Sequence, residues 1–70
     1  MTSKLQISLA AARVNANLTQ EDVARAMQVS KNTIINWEKG KSEPSISQSR
    51  ELERIYKIPM DYIFLPSVSN

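Results

Sequence analysis

Apolar residues recur along the first part of the chain at spacings of three and four, which is the period of an α-helix. They predict a helix over about residues 5–16, ended by Asn17, because Asn tolerates the left-handed backbone conformation that closes a helix. The stripe consists of Leu5, Leu9, Ala12 and Ala16. We expect this first helix to bury one narrow face.

A second helix is predicted to follow at once. Thr19 is a suitable N-cap, and Asp22, three places on, is a slightly short version of the capping-box acid. Gln28 and Val29 then indicate a tight turn. The inward face of this helix is expected to consist of Val23, Ala24 and Met27.

Two more helices are predicted from their caps. Ser30 begins a third helix of about nine residues, which Gly40 ends. Ser45 and Gln48 form an S-x-x-Q capping box for a fourth helix. The apolar residues of that helix are Ile46, Leu52, Ile55 and Tyr56.

The C-terminal apolar residues predict a short fifth helix from about Met60 to Leu65, ended by Pro66. No window alternates apolar and polar residues for long enough to predict a strand. We therefore expect an all-α fold, a compact five-helix bundle. Residues 1–66 would form a single domain, and residues 67–70 a short loose tail.

The composition narrows the classes of function. The chain has 70 residues, of which 41% are hydrophobic and 23% charged, as in an ordinary globular domain. It has no cysteine and no histidine, so disulfides, thiolate nucleophiles, imidazole bases and the usual zinc ligands are excluded. The acidic pairs Glu21/Asp22 and Glu51/Glu53 do not converge on one site. We expect no enzyme, no cofactor, no metal and no small-molecule substrate.

The apolar runs also bear on the compartment. None approaches the roughly 20 residues that span a bilayer, and the N-terminal segment is a poor signal peptide. We expect a cytoplasmic protein with no membrane partner. The net charge is only +2, but residues 31–41 contain three lysines and one acid, so basic charge is concentrated there.

At 100° per residue, the third helix has two different faces. The face expected to pack consists of Ser30, Thr33, Ile34 and Trp37, and the opposite face consists of Asn32, Ile35, Asn36 and Lys39, with Lys31 at the flank. In the major groove, Asn pairs with adenine, Lys with guanine, and Ile lies on a thymine methyl group. A solvated helix face carries the same residue types, so this face alone leaves that alternative open.

The helix, turn and helix around this face carry a family resemblance. The stretch LTQEDVARAMQVSKNTIINWEKGKSEPS closely resembles the Cro and phage-repressor type of helix-turn-helix domain, the xenobiotic-response-element family. The resemblance runs from about Leu5 to Leu65 and ends in I-P-M-D-Y-I. It implies a lambda-repressor-like fold in which helices 2 and 3 form the helix-turn-helix and helix 3 enters the major groove of double-stranded DNA.

The resemblance also implies roles for individual residues. Base contacts are expected from Lys31, Asn32 and Asn36, with Thr33 or Ile35 as secondary candidates. Contacts to the sugar-phosphate backbone are expected from Thr19, Gln20, Ser30, Lys39 and Lys41. For the two last lysines, a simple role in solubility is the alternative. Structural roles are expected for Ile34 and Trp37 in the core and for an Arg13–Glu38 pair between the first and third helices.

The chain departs from the family pattern at a few positions. The family often has Gly where this chain has Asn17, Gln28 and Lys57, and a non-Gly residue in a left-handed site costs roughly 1 kcal/mol. Ser49 occupies a position where the family usually has leucine. We expect the fourth helix to pack less tightly as a result.

The leading hypothesis is a sequence-specific DNA-binding transcriptional regulator, repressor-like or Cro-like, from a phage, prophage or other mobile element. One reading helix covers only about four or five base pairs, so a homodimer on an inverted repeat is expected. The candidate dimer surface is Phe64 and Leu65, with Ile58 and Tyr62 nearby, and the alternative is that these apolar residues close the core. The alternative is a protein-interaction module, an antitoxin or adaptor with the same fold.

Overall fold

The computed structural model describes residues 6–64, and of Phe64 the backbone only. Leu5, Leu65, Pro66 and the expected tail at residues 67–70 lie outside the described residues. The order of elements is β1 (Ile7–Ser8), α1 (Leu9–Asn15), α2 (Gln20–Met27), α3 (Lys31–Lys39), α4 (Ile46–Tyr56), a 3₁₀ turn (Met60–Tyr62) and β2 (Ile63–Phe64). No helix within residues 6–64 is long and apolar enough to cross a membrane.

Hydroxyl side chains cap all four α-helices of the described region. The backbone N–H groups of Ala11 and Thr33 donate to the side chains of Ser8 and Ser30, at the starts of α1 and α3. At α2 and α4 the capping box is reciprocal, in the pairs Thr19/Asp22 and Ser45/Gln48. The Asp22 carboxylate reaches the Thr19 N–H at 2.8 Å, so the shorter acid completes the box.

Left-handed residues follow or end the helices. Gly40 has φ 78°, and three other residues, Asn17, Gln28 and Lys57, have φ 62°, 59° and 60°. The backbone therefore takes this conformation even where the side chain disfavours it.

The core lies where the helices and β2 meet. Each α-helix contributes two buried apolar residues, and β2 contributes Ile63. The hydrophobic core cluster is Leu9, Ala12, Val23, Ala24, Ile34, Trp37, Leu52, Tyr56 and Ile63. Met27 and Ile55 are half-buried against it, whereas Ile46 is 77% exposed and takes no part in the core.

The expected fifth helix was wrong. Residues 6–64 contain four α-helices, and the segment after Pro59 forms only the 3₁₀ turn before the chain becomes extended at Ile63. Pro59, which precedes the turn, offers no capping side chain, but the Met60 N–H donates to the Glu53 carboxylate at 2.7 Å. The extended segment after the turn pairs with the N-terminal end of the described region. β2 lies parallel to β1, with Ile7 opposite Ile63 and Ser8 opposite Phe64.

The same pairing corrects two further expectations. The sequence predicted no strand, yet residues 7–8 and 63–64 form a two-stranded sheet. It also predicted that the first helix begins near residue 5, but Ser8 is extended and caps a helix that begins at Leu9. Two-residue strands are too short to give an alternating pattern, so no sequence signal predicted them.

Candidate nucleic-acid interface

The connection between α2 and α3 is three residues long. Gln28 closes α2 in the left-handed conformation with φ 59° and ψ 43°, and the Val29 N–H donates to the Ala24 carbonyl at 3.0 Å. Ser30 then caps α3. The turn therefore forms without the glycine that its geometry favours, and it packs the two helices directly against each other.

The orientation of α3 is set by two apolar side chains. Ile34 is 1% exposed and Trp37 is 4% exposed. Trp37 is thus a core residue and offers no ring for a base to stack on. Of the predicted base-contacting residues, Lys31 and Asn32 are exposed, and Thr33, Ile35 and Asn36 are half-buried.

The hydroxyl of Thr33 is already engaged. Its Oγ1 lies 3.0 Å from the Oγ of Ser30, and the Ser30 Oγ also accepts the Thr33 N–H at 3.1 Å. These two hydroxyl groups therefore stabilise the start of α3. Ser30 is exposed and Thr33 is half-buried, so both residues keep some surface for other contacts.

A network of three side chains, which we call the Glu38 network, joins α1, α2 and α3. The Glu38 carboxylate accepts hydrogen bonds from Arg13 Nε at 2.7 Å, from Arg13 Nη2 at 3.4 Å and from Gln20 Nε2 at 2.9 Å. Arg13 also donates to the Leu18 carbonyl at 3.0 Å. Arg13 and Glu38, expected to pair, are 14% and 9% exposed. The hydrogen bond to Glu38 raises the pKa of Arg13, against the opposing effect of burial.

A concavity lies between the start of α2 and the start of α3. Its lining is Arg13, Leu18, Thr19, Gln20, Glu21 and Lys31. The N-terminal end of a helix has free N–H groups and a partial positive charge, which favour an anion. Inside the capping box, hydrogen bonds from Thr19 hold the pKa of Asp22 below its ordinary value. The Asp22 carboxylate therefore stays charged at neutral pH, close to this end of α2.

Comparison with known proteins identifies the family. The helix-turn-helix family profile matches residues 9–63, which is most of the chain. The chain belongs to the helix-turn-helix family. No solved structure gives a significant match to it.

Three relatives of this helix-turn-helix chain are named as transcriptional regulators or repressors. An uncharacterized HTH-type transcriptional regulator of Methanocaldococcus jannaschii is 41% identical over 49 residues, 70% of this chain and 74% of the relative. An uncharacterized HTH-type transcriptional regulator of Archaeoglobus fulgidus is 34% identical over 53 residues, 76% of this chain and 75% of the relative. RstR, the transcriptional repressor of the cryptic phage CTXphi in Vibrio cholerae, is 34% identical over 58 residues, 83% of this chain. The aligned part covers 52% of RstR, about half of its length.

The predicted backbone-contacting residues lie at three places in the helix-turn-helix domain. Thr19 and Gln20 begin α2, and Ser30 caps α3. Lys39 is the last residue of α3, and Lys41 follows Gly40, with its N–H donating to the Asn36 carbonyl at 2.9 Å. Both of these lysines are exposed.

Two features of the interface gave no signal in the sequence. Gln20 was expected to contact phosphate, but nothing predicted that its amide also bonds to Glu38. Glu21 was not a candidate, yet its carboxylate lies 4.0 Å from the Lys31 ammonium group, and both side chains are largely exposed. Contacts between residues on different helices have no periodic pattern, so only the fold discloses them.

Proposed function

We propose that this chain is a sequence-specific, double-stranded DNA-binding transcriptional regulator of the phage or prophage repressor or Cro type, acting in the cytoplasm. The observation that carries the proposal is the orientation of α3. Burial of Ile34 and Trp37 turns the side that bears Asn32 and Asn36 away from the core. Membership of the helix-turn-helix family supports it, and so do relatives named as a transcriptional regulator and a phage repressor.

In the proposed complex, α3 lies in the major groove. Asn32 and Asn36 pair with adenine edges, and Lys31 donates to guanine. Ile35 and the Thr33 methyl group lie against thymine methyl groups. The Lys31–Glu21 ion pair is exposed and weak, so it gives way readily to a guanine.

The sugar-phosphate backbone is bound at the edges of this face. Thr19 and Gln20 bring the start of α2 to one phosphate, and the hydroxyl of Ser30 lies beside the next helix start. Lys39 and Lys41 neutralise phosphates after the end of α3. Release of counterions from those phosphates makes the affinity fall as salt rises.

We propose that two copies bind an inverted repeat. One recognition helix contacts about four or five base pairs, which are too few to define a unique binding site. Of the candidate dimer surface, Tyr62 is 47% exposed, whereas Ile58 is half-buried against the core. Tyr62 is therefore the described residue best placed to contact a second copy. Sedimentation at micromolar concentration, with and without DNA, measures the oligomeric state.

The experiment that tests the function is a binding-site selection from random duplexes at a fixed salt concentration, followed by sequencing. We expect one short half-site, repeated with inverted symmetry. The matched control is the Asn32→Ala, Asn36→Ala double variant, which keeps the buried face and should enrich no half-site. Enrichment of no sequence by the unmodified chain would contradict the proposal. It would favour the antitoxin or adaptor alternative.

A further inference from the structure

The side-chain amide of Gln20 is held in one orientation by the Glu38 network. Glu38 is 9% exposed, and its two carboxylate oxygens accept three N–H groups, two from Arg13 and one from Gln20. An ionised carboxylate only accepts hydrogen bonds. The Gln20 amide must therefore turn its nitrogen, and not its oxygen, towards Glu38.

This orientation determines what Gln20 can offer to another molecule. The amide nitrogen carries two hydrogens, and it donates one of them to Glu38, with 2.9 Å between Nε2 and Oε1. The second hydrogen is the only donor that the amide has left. Gln20 lines the concavity together with Arg13, Thr19 and Lys31. A phosphate oxygen, which only accepts, matches that donor.

We infer that Glu38 is a positioning residue for DNA binding, which orients the Gln20 amide so that its second N–H is presented to a backbone phosphate. This inference rests on the proposed function. Glu38 itself does not touch the DNA. Because Glu38 already orders the Gln20 side chain in the free protein, less side-chain entropy is lost when the DNA binds.

The position of Glu38 in the sequence adds a second consequence. It belongs to α3 and lies between Asn36 and Lys39, on the helix that reads bases. The same carboxylate ties that helix to Arg13 of α1 and to Gln20 of α2. The phosphate contact and the base-reading face therefore keep a fixed distance from each other, which sets the position of α3 along the groove.

A double-mutant cycle tests the inference, with the duplex that the selection recovers as the probe. In the unmodified chain, Gln20→Ala should weaken binding by roughly 10- to 100-fold, the effect of one lost hydrogen bond to a charged group. In a Glu38→Ala background the same change should cost almost nothing, because the amide is no longer oriented. Fluorescence anisotropy at fixed salt measures the four affinities, and circular dichroism verifies that each variant is folded.

Arg13→Gln is the matched control. It breaks the same buried ion pair as Glu38→Ala but leaves Glu38 free to hold Gln20, so Gln20→Ala should keep its full cost in this background. If Glu38→Ala does not fold, Glu38→Gln replaces it, since an amide can face Gln20 with either end. A Gln20→Ala cost that is equal in all backgrounds, or absent in the unmodified chain, overturns the inference. If the unmodified chain binds no duplex, the proposed function fails as well.

Discussion

Within residues 6–64, three non-glycine residues adopt the left-handed backbone conformation, and Gln28 is the one that forms the turn between α2 and α3. A residue with a Cβ atom is disfavoured in this conformation by about 1–2 kcal/mol relative to glycine. Glycine also has the larger conformational entropy in the unfolded state, which offsets part of the stability that the substitution adds. We expect Gln28→Gly to raise the free energy of unfolding by about 0.5–1 kcal/mol. Urea denaturation measures it. Asn17→Gly is the control and should gain less, because Asn tolerates this conformation better.

Asn36 and Lys41 belong to two different classes of DNA contact in the proposed complex. Asn36→Ala should relax the preference at one or two base positions, at a cost of about 1–3 kcal/mol for the matching bases. Lys41→Ala should weaken binding to all sequences alike and flatten the dependence on salt. Titrations against the selected site and its single-base variants, at several salt concentrations, separate the two. If both variants lose affinity equally on every duplex, the assignment of Asn36 to base contacts and Lys41 to backbone contacts is wrong.

The N-terminal ends of the α-helices are the parts of this fold that depend most directly on the local sequence. Ser45 accepts the Gln48 N–H at 3.1 Å, and the Gln48 side chain accepts the Ser45 N–H at 2.8 Å. Ser45→Ala should therefore lower the free energy of unfolding by about 1 kcal/mol. Ser47→Ala, two residues on, removes an exposed hydroxyl that lies 3.3 Å from the Ser45 Oγ but leaves both capping-box hydrogen bonds in place, so it should cost far less than Ser45→Ala. Thermal and urea unfolding of both variants measure the difference, and equal effects would mean that the cap does not stabilise α4.

The elements also show where sequence reasoning succeeds and where it fails. The caps at Thr19, Ser30 and Ser45 were predicted because each depends on residues within one turn of the chain. The same holds for the burial of Ile34 and Trp37, which follows from the helical period. The 3₁₀ turn and β2 were not predicted, because their conformation depends on pairing with the opposite end of the described region.

The stability of the folded chain depends on a small core. A chain of this length buries only about 60% of the surface that it exposes when unfolded, so each buried group counts. Tyr56 lies in that core at 4% exposure, with Glu38 and Arg13 near enough to influence its charge. Burial, reinforced by Glu38 and partly opposed by Arg13, raises the pKa of Tyr56 from 10.0 to about 12.

This shift makes the stability of the folded chain depend on alkaline pH. The folded state binds the phenol proton more tightly than the unfolded state does, so the contribution is fully present below pH 10 and is lost as pH rises through about 12. The loss amounts to roughly 2–3 kcal/mol, at 1.36 kcal/mol for each unit of pKa. Urea denaturation at a series of alkaline pH values measures it.

Tyr56→Phe keeps the ring and removes the ionisable group, so this part of the pH dependence should disappear. Tyr62→Phe, at an exposed site, should retain it, because Tyr56 is still present. If the two variants behave alike, Tyr56 ionisation does not limit stability in base.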